Sequence, residues 1–364
     1  MLQVWADGST TGILDRLRYG GSTFSYDVSA AGGEVSLTMP RRVQSYDRQR
    51  GLTPVFDMNL PEGHLRETLR LRFAKALGQM DDFELLEIVG RSQVGRVRFT
   101  AVGEPLDADV PFQSVDEILR ARRDGGLYDY LLDQFATHSG LSGVQPKVMV
   151  RDNDGEQAHT LRTATHIVKF WNPGQFDELA ANEFFCLSAA RAAGLDVPDF
   201  RLADDGSSLV VKRFDIAADG TPLGFEDLCS LNGMLTAQKY NGGYEASVFR
   251  RLGDFVSPHL KAVSLEQAFR LLVLNVAIRN GDAHLKNWGV LYRDTESDVS
   301  LAPVYDLVTT TAYVPPDLMA LTMNASQRWP EPRKLAQFGK LRTMLTMPQI
   351  QAVFERTADA LAET

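Results

Sequence analysis

The sequence predicts an α+β fold in which an N-terminal α/β portion leads into a mainly helical C-terminal portion. Three observations carry this. Short alternating apolar runs separated by glycine-rich turns fill much of the first hundred residues. Apolar strand-like runs return at 148–150, 166–171 and 209–214, with helical periodicity between them. From Phe225 onward the apolar spacing is mostly helical.

Taken in order, residues 2–5, 12–14, 23–26 and 35–39 alternate apolar and polar side chains and predict a small antiparallel sheet. Leu65, Leu69, Phe73 and Ala76 recur at helical spacing within 61–78, a second helical run starts at Phe83, and 94–99 returns to strand. This region carries no chemistry of its own and reads as a scaffold. Residues 115–136 form a helical stretch, with Ile118, Leu119, Leu127, Leu131 and Leu132 apolar and an interruption at Gly125-Gly126. Ser264 with Gln267 three residues on reads as a capping box opening a helix. That helix has an apolar face of Leu265, Ala268, Phe269, Leu272 and Val276, and Asn280-Gly281 ends it. Residues 288–292 and 299–304 then pair as a hairpin around the polar turn 293–298.

A chain of 364 residues is too long for one small core and suits two lobes. The expected division is 1–110, 111–215 and 216–364. Hydrophobic content of 44% and charged content of 23% are those of an ordinary globular protein. A net charge of -9 and a pI near 5.3 disfavour an autonomous nucleic-acid surface, which needs a basic face, although a partner could supply one. Cys186 and Cys229 sit in apolar surroundings and read as small core residues in a reducing compartment. No apolar run reaches the ~18 residues of a membrane span, and the N-terminus lacks a secretory leader pattern, so no membrane association and a cytoplasmic location are expected. The six histidines have no paired cysteines at zinc spacing, so no structural zinc is expected.

The chemistry concentrates in Arg279-Asn-Gly-Asp282-Ala-His284-Leu-Lys286-Asn287 and Val304-Tyr305-Asp306. Phosphoryl transfer needs a carboxylate to accept the proton of an attacking hydroxyl and oxygen ligands to hold Mg²⁺ against phosphates. Asp282 and Asn287 stand five residues apart, the spacing of a protein-kinase catalytic loop, and the hairpin would bring Asn287 close to Asp306. A Gly-Asp turn after a helix is the alternative reading of Asp282. Upstream, Gly140-Leu-Ser142-Gly143-Val-Gln145-Pro-Lys147 could lay backbone amides against phosphate with help from Lys147, or be a plain turn; it lacks the Gly-Lys-Ser/Thr ending of a Walker loop. Lys169 lies at the centre of an apolar strand, and Glu178 or Glu183 on the following helix could pair with it, the alternative being an edge lysine facing water. Residues 209–215 form a strand with a polar end, suited either to a hinge that brackets adenine and places Asp215 at a ribose, or to an ordinary strand terminus.

These pieces, in this order, resemble the HipA family of serine/threonine kinases, the toxin half of bacterial HipBA-type toxin-antitoxin pairs. The resemblance spans almost the whole chain: Asn59-Leu-Pro-Glu-Gly63, Leu141-Ser-Gly-Val-Gln-Pro-Lys147, His166-Ile-Val-Lys169, Asn182-Glu-Phe-Phe-Cys186, Val211-Lys-Arg-Phe-Asp215, Glu226-Asp-Leu-Cys229, Lys239-Tyr with Gly242-Gly243, Gly281-Asp-Ala-His-Leu-Lys-Asn287 and Tyr305-Asp306. It implies a bilobal protein-kinase-like fold, ATP and Mg²⁺ as cofactors, and Asp282 as catalytic base with Asn287 and Asp306 on the metal. It further implies nucleotide contacts from Gly143, Gln145, Lys147, Lys169, the backbone at Lys212 and Phe214, Asp215 and His284, with Lys286 balancing charge.

Family members autophosphorylate a serine of the glycine-rich loop, in the best-known pattern three residues before the loop glycine. That position is Gly140 here, so Ser142 is the candidate and Ser139 the lesser one. The implied partners are a HipB-like helix-turn-helix antitoxin, through which alone DNA is reached, and a protein substrate such as an aminoacyl-tRNA synthetase. Two other readings stand beside it: a small-molecule kinase of the aminoglycoside or choline type, and a nucleotide-binding corepressor acting through a DNA-binding partner.

Overall fold

The structure, a computed structural model, describes residues 1–364 apart from 79, 108, 123–125, 153–162, 172, 173 and 175. The chain divides into two compact units. Unit 1 comprises Met1–Asp177, Phe200–Glu226 and Arg293–Glu296; unit 2 comprises Glu178–Asp199, Asp227–Tyr292 and Ser297–Thr364.

Unit 1 is a mixed α/β body with two antiparallel sheets. In the first, β1 (Leu2–Ala6), β2 (Ser9–Arg16), β3 (Ser22–Tyr26), β4 (Tyr46–Arg48) and β5 (Val97–Ala101) lie in the order β4-β3-β2-β1-β5. Alternate residues of β1 and β3 are buried, so one face is packed. The short helix α1 (Pro54–Asp57) contributes Phe56, whose ring meets Phe24 at 5.3 Å and Phe99 at 5.4 Å, both edge to face. Truncating any of these rings to alanine removes roughly 3–5 kcal/mol. Helices α2 (Gly63–Leu77), α3 (Asp82–Val89), α4 (Val115–Arg120) and α5 (Leu127–Phe135) follow the expected periodicity. Of the expected break between the last two, Gly125 lies outside the described residues, while Gly126 is left-handed at the N-cap of α5.

The second sheet joins β6 (Lys147–Val150), β7 (His166–Phe170), β8 (Phe200–Leu202) and β9 (Ser208–Lys212) in the order β6-β7-β9-β8. Val148, Val168 and Val210 fill one face and are at most 2% exposed. Strand β10 (Gly224–Asp227) follows, its last residue already belonging to unit 2.

Two expectations fail in unit 1. Residues 35–39 are not a strand, although Val35 and Met39 are buried. Side chains take the backbone groups a ladder would use: Tyr26 Oη accepts from the Val35 amide and donates to the Met39 carbonyl, and Glu226 accepts from the Leu37 amide. Strand β5 starts at Val97 rather than Val94, because the Val94 amide donates to the Gly140 carbonyl and the Gly95 amide to Asp215.

Unit 2 is mainly helical: α6 (Leu179–Ala192), α7 (Leu228–Leu231), α8 (Arg251–Phe255), α9 (Lys261–Ala277), α10 (Pro332–Arg342) and α11 (Met347–Glu363), with the hairpin β11 (Gly289–Tyr292) and β12 (Val299–Leu301). Helix α9 is its core, with Ala268, Phe269, Leu272 and Leu274 fully buried. Gly339 of α10 lies so near Phe269 that a Cβ there would stand 2.5 Å from the ring. The Ser264 capping box is absent: α9 begins a turn earlier, because the Leu260 amide bonds the Ser257 carbonyl and Ser264 repeats the step to Leu260. The helix also stops before Asn280-Gly281. Arg279 takes the left-handed position at φ 57°, and Asn280 donates back to the Asn275 carbonyl at 2.9 Å, closing a Schellman-type end without glycine.

Candidate functional site

In unit 2, that helix end aims the acidic loop. Asn280 Nδ2 is tied to Asn275 Oδ1 at 2.7 Å, and Asn280 Oδ1 accepts from the Asp282 amide at 3.1 Å. Thr310 Oγ1 accepts from the Gly281 amide at 2.8 Å, and any side chain at Gly281 would collide with Asp317. The His284 amide donates to the Asp282 carbonyl at 2.7 Å, after which Leu285–Asn287 makes one 3-10 turn into β11. From the opposite side the Leu285 amide bonds the Lys239 carbonyl at 3.0 Å.

The hairpin delivers its two ends together, as its spacing predicts. Asn287 Nδ2 donates to the Asp282 carbonyl at 2.9 Å and, more weakly, to the Asp306 carbonyl at 3.4 Å. Asp306 is left-handed at φ 56°, a conformation that costs an L-residue about 1 kcal/mol or more and is typical of functional loops. Its segment is anchored by Asn182 of α6, whose amide exchanges two hydrogen bonds with the Thr309 backbone at 2.9 and 3.0 Å. Tyr305 Oη donates to the Lys286 carbonyl at 2.7 Å.

Asp282 is most shaped by its surroundings. Burial raises its pKa; the neighbouring charges of Asp306 and Asp317 act in the same direction, while the Tyr240 hydrogen bond and the Lys239 charge oppose them. Tyr240 Oη donates to Asp282 Oδ1 at 2.6 Å, and its ring stands edge-on to His284 at 5.0 Å. Lys286 does not join this group: its ammonium is buried against Asp227 at 2.6 Å.

Among the described residues no three His, Cys, Asp or Glu side chains form a metal cluster. A cation at this loop would therefore rely on Asp306, the Asn287 Oδ1 left over once Nδ2 is engaged, and oxygens of a bound phosphate. That all-oxygen, sparsely liganded set suits Mg²⁺ and does not suit zinc.

Unit 1 carries the other candidates. Lys147 and Lys169 are directly opposite in the β6–β7 register, so both side chains leave the same face, and both are buried. Gly143, at φ 116°, lies over the first of them: a Cβ at Gly143 would be 2.2 Å from Lys147 Nζ. Two ammonium groups beside a glycine-borne backbone favour an anion. Gln145 Nε2 donates to the Phe170 carbonyl at 3.1 Å, fixing the end of the loop. Ser142 donates its hydroxyl to Glu62, whose carboxylate also accepts from the Gly143 amide at 2.9 Å.

Lys212 is exposed and pairs with His166 in the sheet, and Phe214 is half-buried with its ring 5.5 Å from Phe225. Asp215 is buried, with its oxygens on Arg213 Nε at 3.0 Å and the Gly95 amide at 2.6 Å. Burial alone would raise its pKa, but Arg213, the Gly95 amide and Arg98 hold it below the usual carboxylate range. Burial and Arg213 push Arg98 down to about 9. Glu183 is fully buried on α6 in unit 2, whereas Lys169 belongs to unit 1.

Sequence reasoning overlooked Tyr240, Asn280 and Glu62 as partners of the site. All three stand inside motifs the sequence marks, but no local spacing signals their partners.

Unit 2 carries a half-buried acid in an amide-braced oxygen loop, and unit 1 separately carries a lysine-flanked glycine turn, groups of the kind a nucleotide-dependent phosphotransferase uses. Family models match along most of the chain: the HipA N-terminal domain at residues 2–100 and the HipA-like C-terminal domain at 139–364. The chain belongs to the HipA family. Two similar proteins of Sinorhizobium fredii are named as candidate kinases. Y4mE is 33% identical over 348 residues, covering 87% of this chain and 79% of its own length. Y4dM is 30% identical over 280 residues, covering 72% of this chain, and the match spans only 63% of that relative. Among solved structures, the Shewanella oneidensis MR-1 HipA in complex with HipB and its operator DNA has a TM-score of 0.70 at 20% identity, covering 100% of this chain and 90% of that one. That likeness establishes the shared fold, a mixed α/β chain with antiparallel sheets.

Proposed function

We propose that the chain is an ATP-dependent serine/threonine protein kinase of bilobal, protein-kinase-like organisation, with the three-part division 1–110, 111–215 and 216–364. One observation carries the reading: Asn287 bridges the backbones of Asp282 and Asp306, joining the acid to both candidate metal ligands. In the reaction the acceptor hydroxyl oxygen forms a bond to the γ-phosphorus while the bond from that phosphorus to the β–γ bridging oxygen breaks. The hydroxyl proton passes to the Asp282 carboxylate, and ADP leaves with the bridging oxygen. Tyr240 orients that carboxylate and keeps it ionised. Magnesium, held by Asn287 and Asp306, would supply charge neutralisation for the phosphates. Lys169 and Lys147 hold phosphate oxygens beside Gly143 and Gln145, the backbone of Lys212 and Phe214 takes the adenine, and His284 supports the loop.

The substrate class is a component of translation, an aminoacyl-tRNA synthetase being the expected example, with Ser142 as the site of self-modification and the cytoplasm as the location. A HipB-like antitoxin is the proposed partner and the only route to DNA, supported by the assembly of the Shewanella protein and by an acidic net charge of -9 suited to a basic partner. Incubation with γ-labelled ATP and Mg²⁺ tests the reading: the protein or an extract protein gains label, and Asp282→Asn removes it. Labelling that persists in the variant refutes the assignment.

A further inference from the structure

The glycine-bearing loop of unit 1 is gripped from a segment far away in sequence. Asn59 Nδ2 donates to the Val94 carbonyl at 2.9 Å and pins the start of the Asn59–Gly63 motif. Glu62 then occupies the N-cap of α2, yet its side chain makes no capping bond to that helix. Its Oε1 accepts instead from the Ser142 hydroxyl and, at 2.9 Å, from the Gly143 amide. Gly63, left-handed at φ 50°, passes so close to the loop that a Cβ would stand 2.6 Å from the Val144 carbonyl oxygen. The Gly143 held in this way is the residue whose backbone lies over the Lys147 ammonium.

We propose that Glu62 is a positioning residue that latches the glycine-bearing loop over the lysine pair, so that the N-terminal region sets nucleotide affinity without touching nucleotide. The inference rests on the kinase reading for its ligand but not for its geometry. A side chain that caps a helix from the N-cap position accepts from that helix's own N2 or N3 amide, and Glu62 does not. Here the carboxylate serves two donors of another loop, one of them a backbone amide that sets the path of the turn.

Two measurements test it on the full chain. Hydrogen exchange of the peptide covering residues 140–147, in the absence of nucleotide, reads the latch directly. Glu62→Ala is expected to speed that exchange at least tenfold, whereas Glu62→Gln, which keeps an acceptor oxygen, stays within about threefold of the native protein. Titration with Mg-ATP reads the consequence. Glu62→Ala raises KM for ATP about tenfold with kcat within about twofold, Glu62→Gln rescues most of the loss, and Ser142→Ala combined with Glu62→Ala is less than additive. Unchanged exchange in Glu62→Ala overturns the latch, as does a fall in kcat with KM unaltered. If the native protein binds no Mg-ATP, the kinase reading fails while the exchange experiment still decides the latch. If Glu62→Ala does not fold, Ser142→Ala, which removes one donor and keeps the Gly143 amide, gives the same two readouts, and native exchange in that variant overturns the latch.

Discussion

Tyr240 donates its phenolic proton to Asp282 at 2.6 Å, and this one bond opposes burial and two neighbouring carboxylates in setting the charge of the acid. Tyr240→Phe removes the stabilisation of the ionised form, so the pKa of Asp282 rises further. As the proposed base, Asp282 would work only when ionised, so the acid limb of the kcat/KM profile is expected to move to higher pH in the variant. A pH–rate profile checks this, and an unmoved limb contradicts the role given to Tyr240.

Asp282→Asn separates chemistry from stability. Loss of the proposed base is expected to lower kcat by roughly 10²–10⁴-fold. A carboxylate whose folded pKa is raised contributes stability below its unfolded pKa and loses it as pH rises through the folded value. The neutral amide escapes that loss, so Tm at pH 7 is expected to rise, with the difference vanishing below about pH 4. Calorimetry at the two pH values reads the sign.

Asn287→Ala unties the Asp282 and Asp306 backbones and removes an amide oxygen from the proposed cation site. The magnesium concentration for half-maximal activity is expected to rise roughly 10–100-fold, the scale on which supporting groups act at metal sites. Saturating Mg²⁺ recovers part of the rate, which separates this loss from that of Asp282→Asn.

Lys286→Met strands the Asp227 carboxylate, which is 3% exposed and also accepts from the Ser230 amide at 2.7 Å. Removing one partner of a buried pair destabilises by about 3–5 kcal/mol. Chemical denaturation measures it, and Asp227→Asn with Lys286→Met is expected to fall well short of the sum of the single changes.

Asp215 gives the converse case in pH. Its folded pKa is depressed, so its stability is present above the unfolded pKa and is lost as pH falls through the folded value. Asp215→Asn leaves Arg213 buried without its counter-charge and is expected to cost about 3–5 kcal/mol at neutral pH. An effect on KM for ATP with stability intact would instead support a ribose contact.

Strands β1–β3, β5–β7 and β9, the helices α2, α3, α5, α6 and α9 and the hairpin were legible because they rest on periodicity, which a single sequence carries. The pairing of Asn287 with Asp306 was legible for the same reason: a hairpin returns its ends together whatever surrounds it. What escaped depends on contacts remote in sequence or on turn conformations that residue type does not announce. The backbone of residues 35–39 is claimed by Tyr26 and Glu226, and α9 starts early because a turn at Ser257 propagates into it. Its end uses a left-handed arginine where sequence rules look for glycine or asparagine. The hold of Glu62 on Ser142 spans eighty residues, and no local pattern announces it.

The direct cross-strand alignment of Lys147 with Lys169 makes loop length a hard constraint. Inserting a single amino acid between Val144 and Lys147 would either lengthen the turn or slide β6 by one step, and a slide would turn Lys147 to the other side of the sheet. A spacer placed at this connection is therefore expected to part the two ammonium groups while leaving the rest of the sheet's register intact.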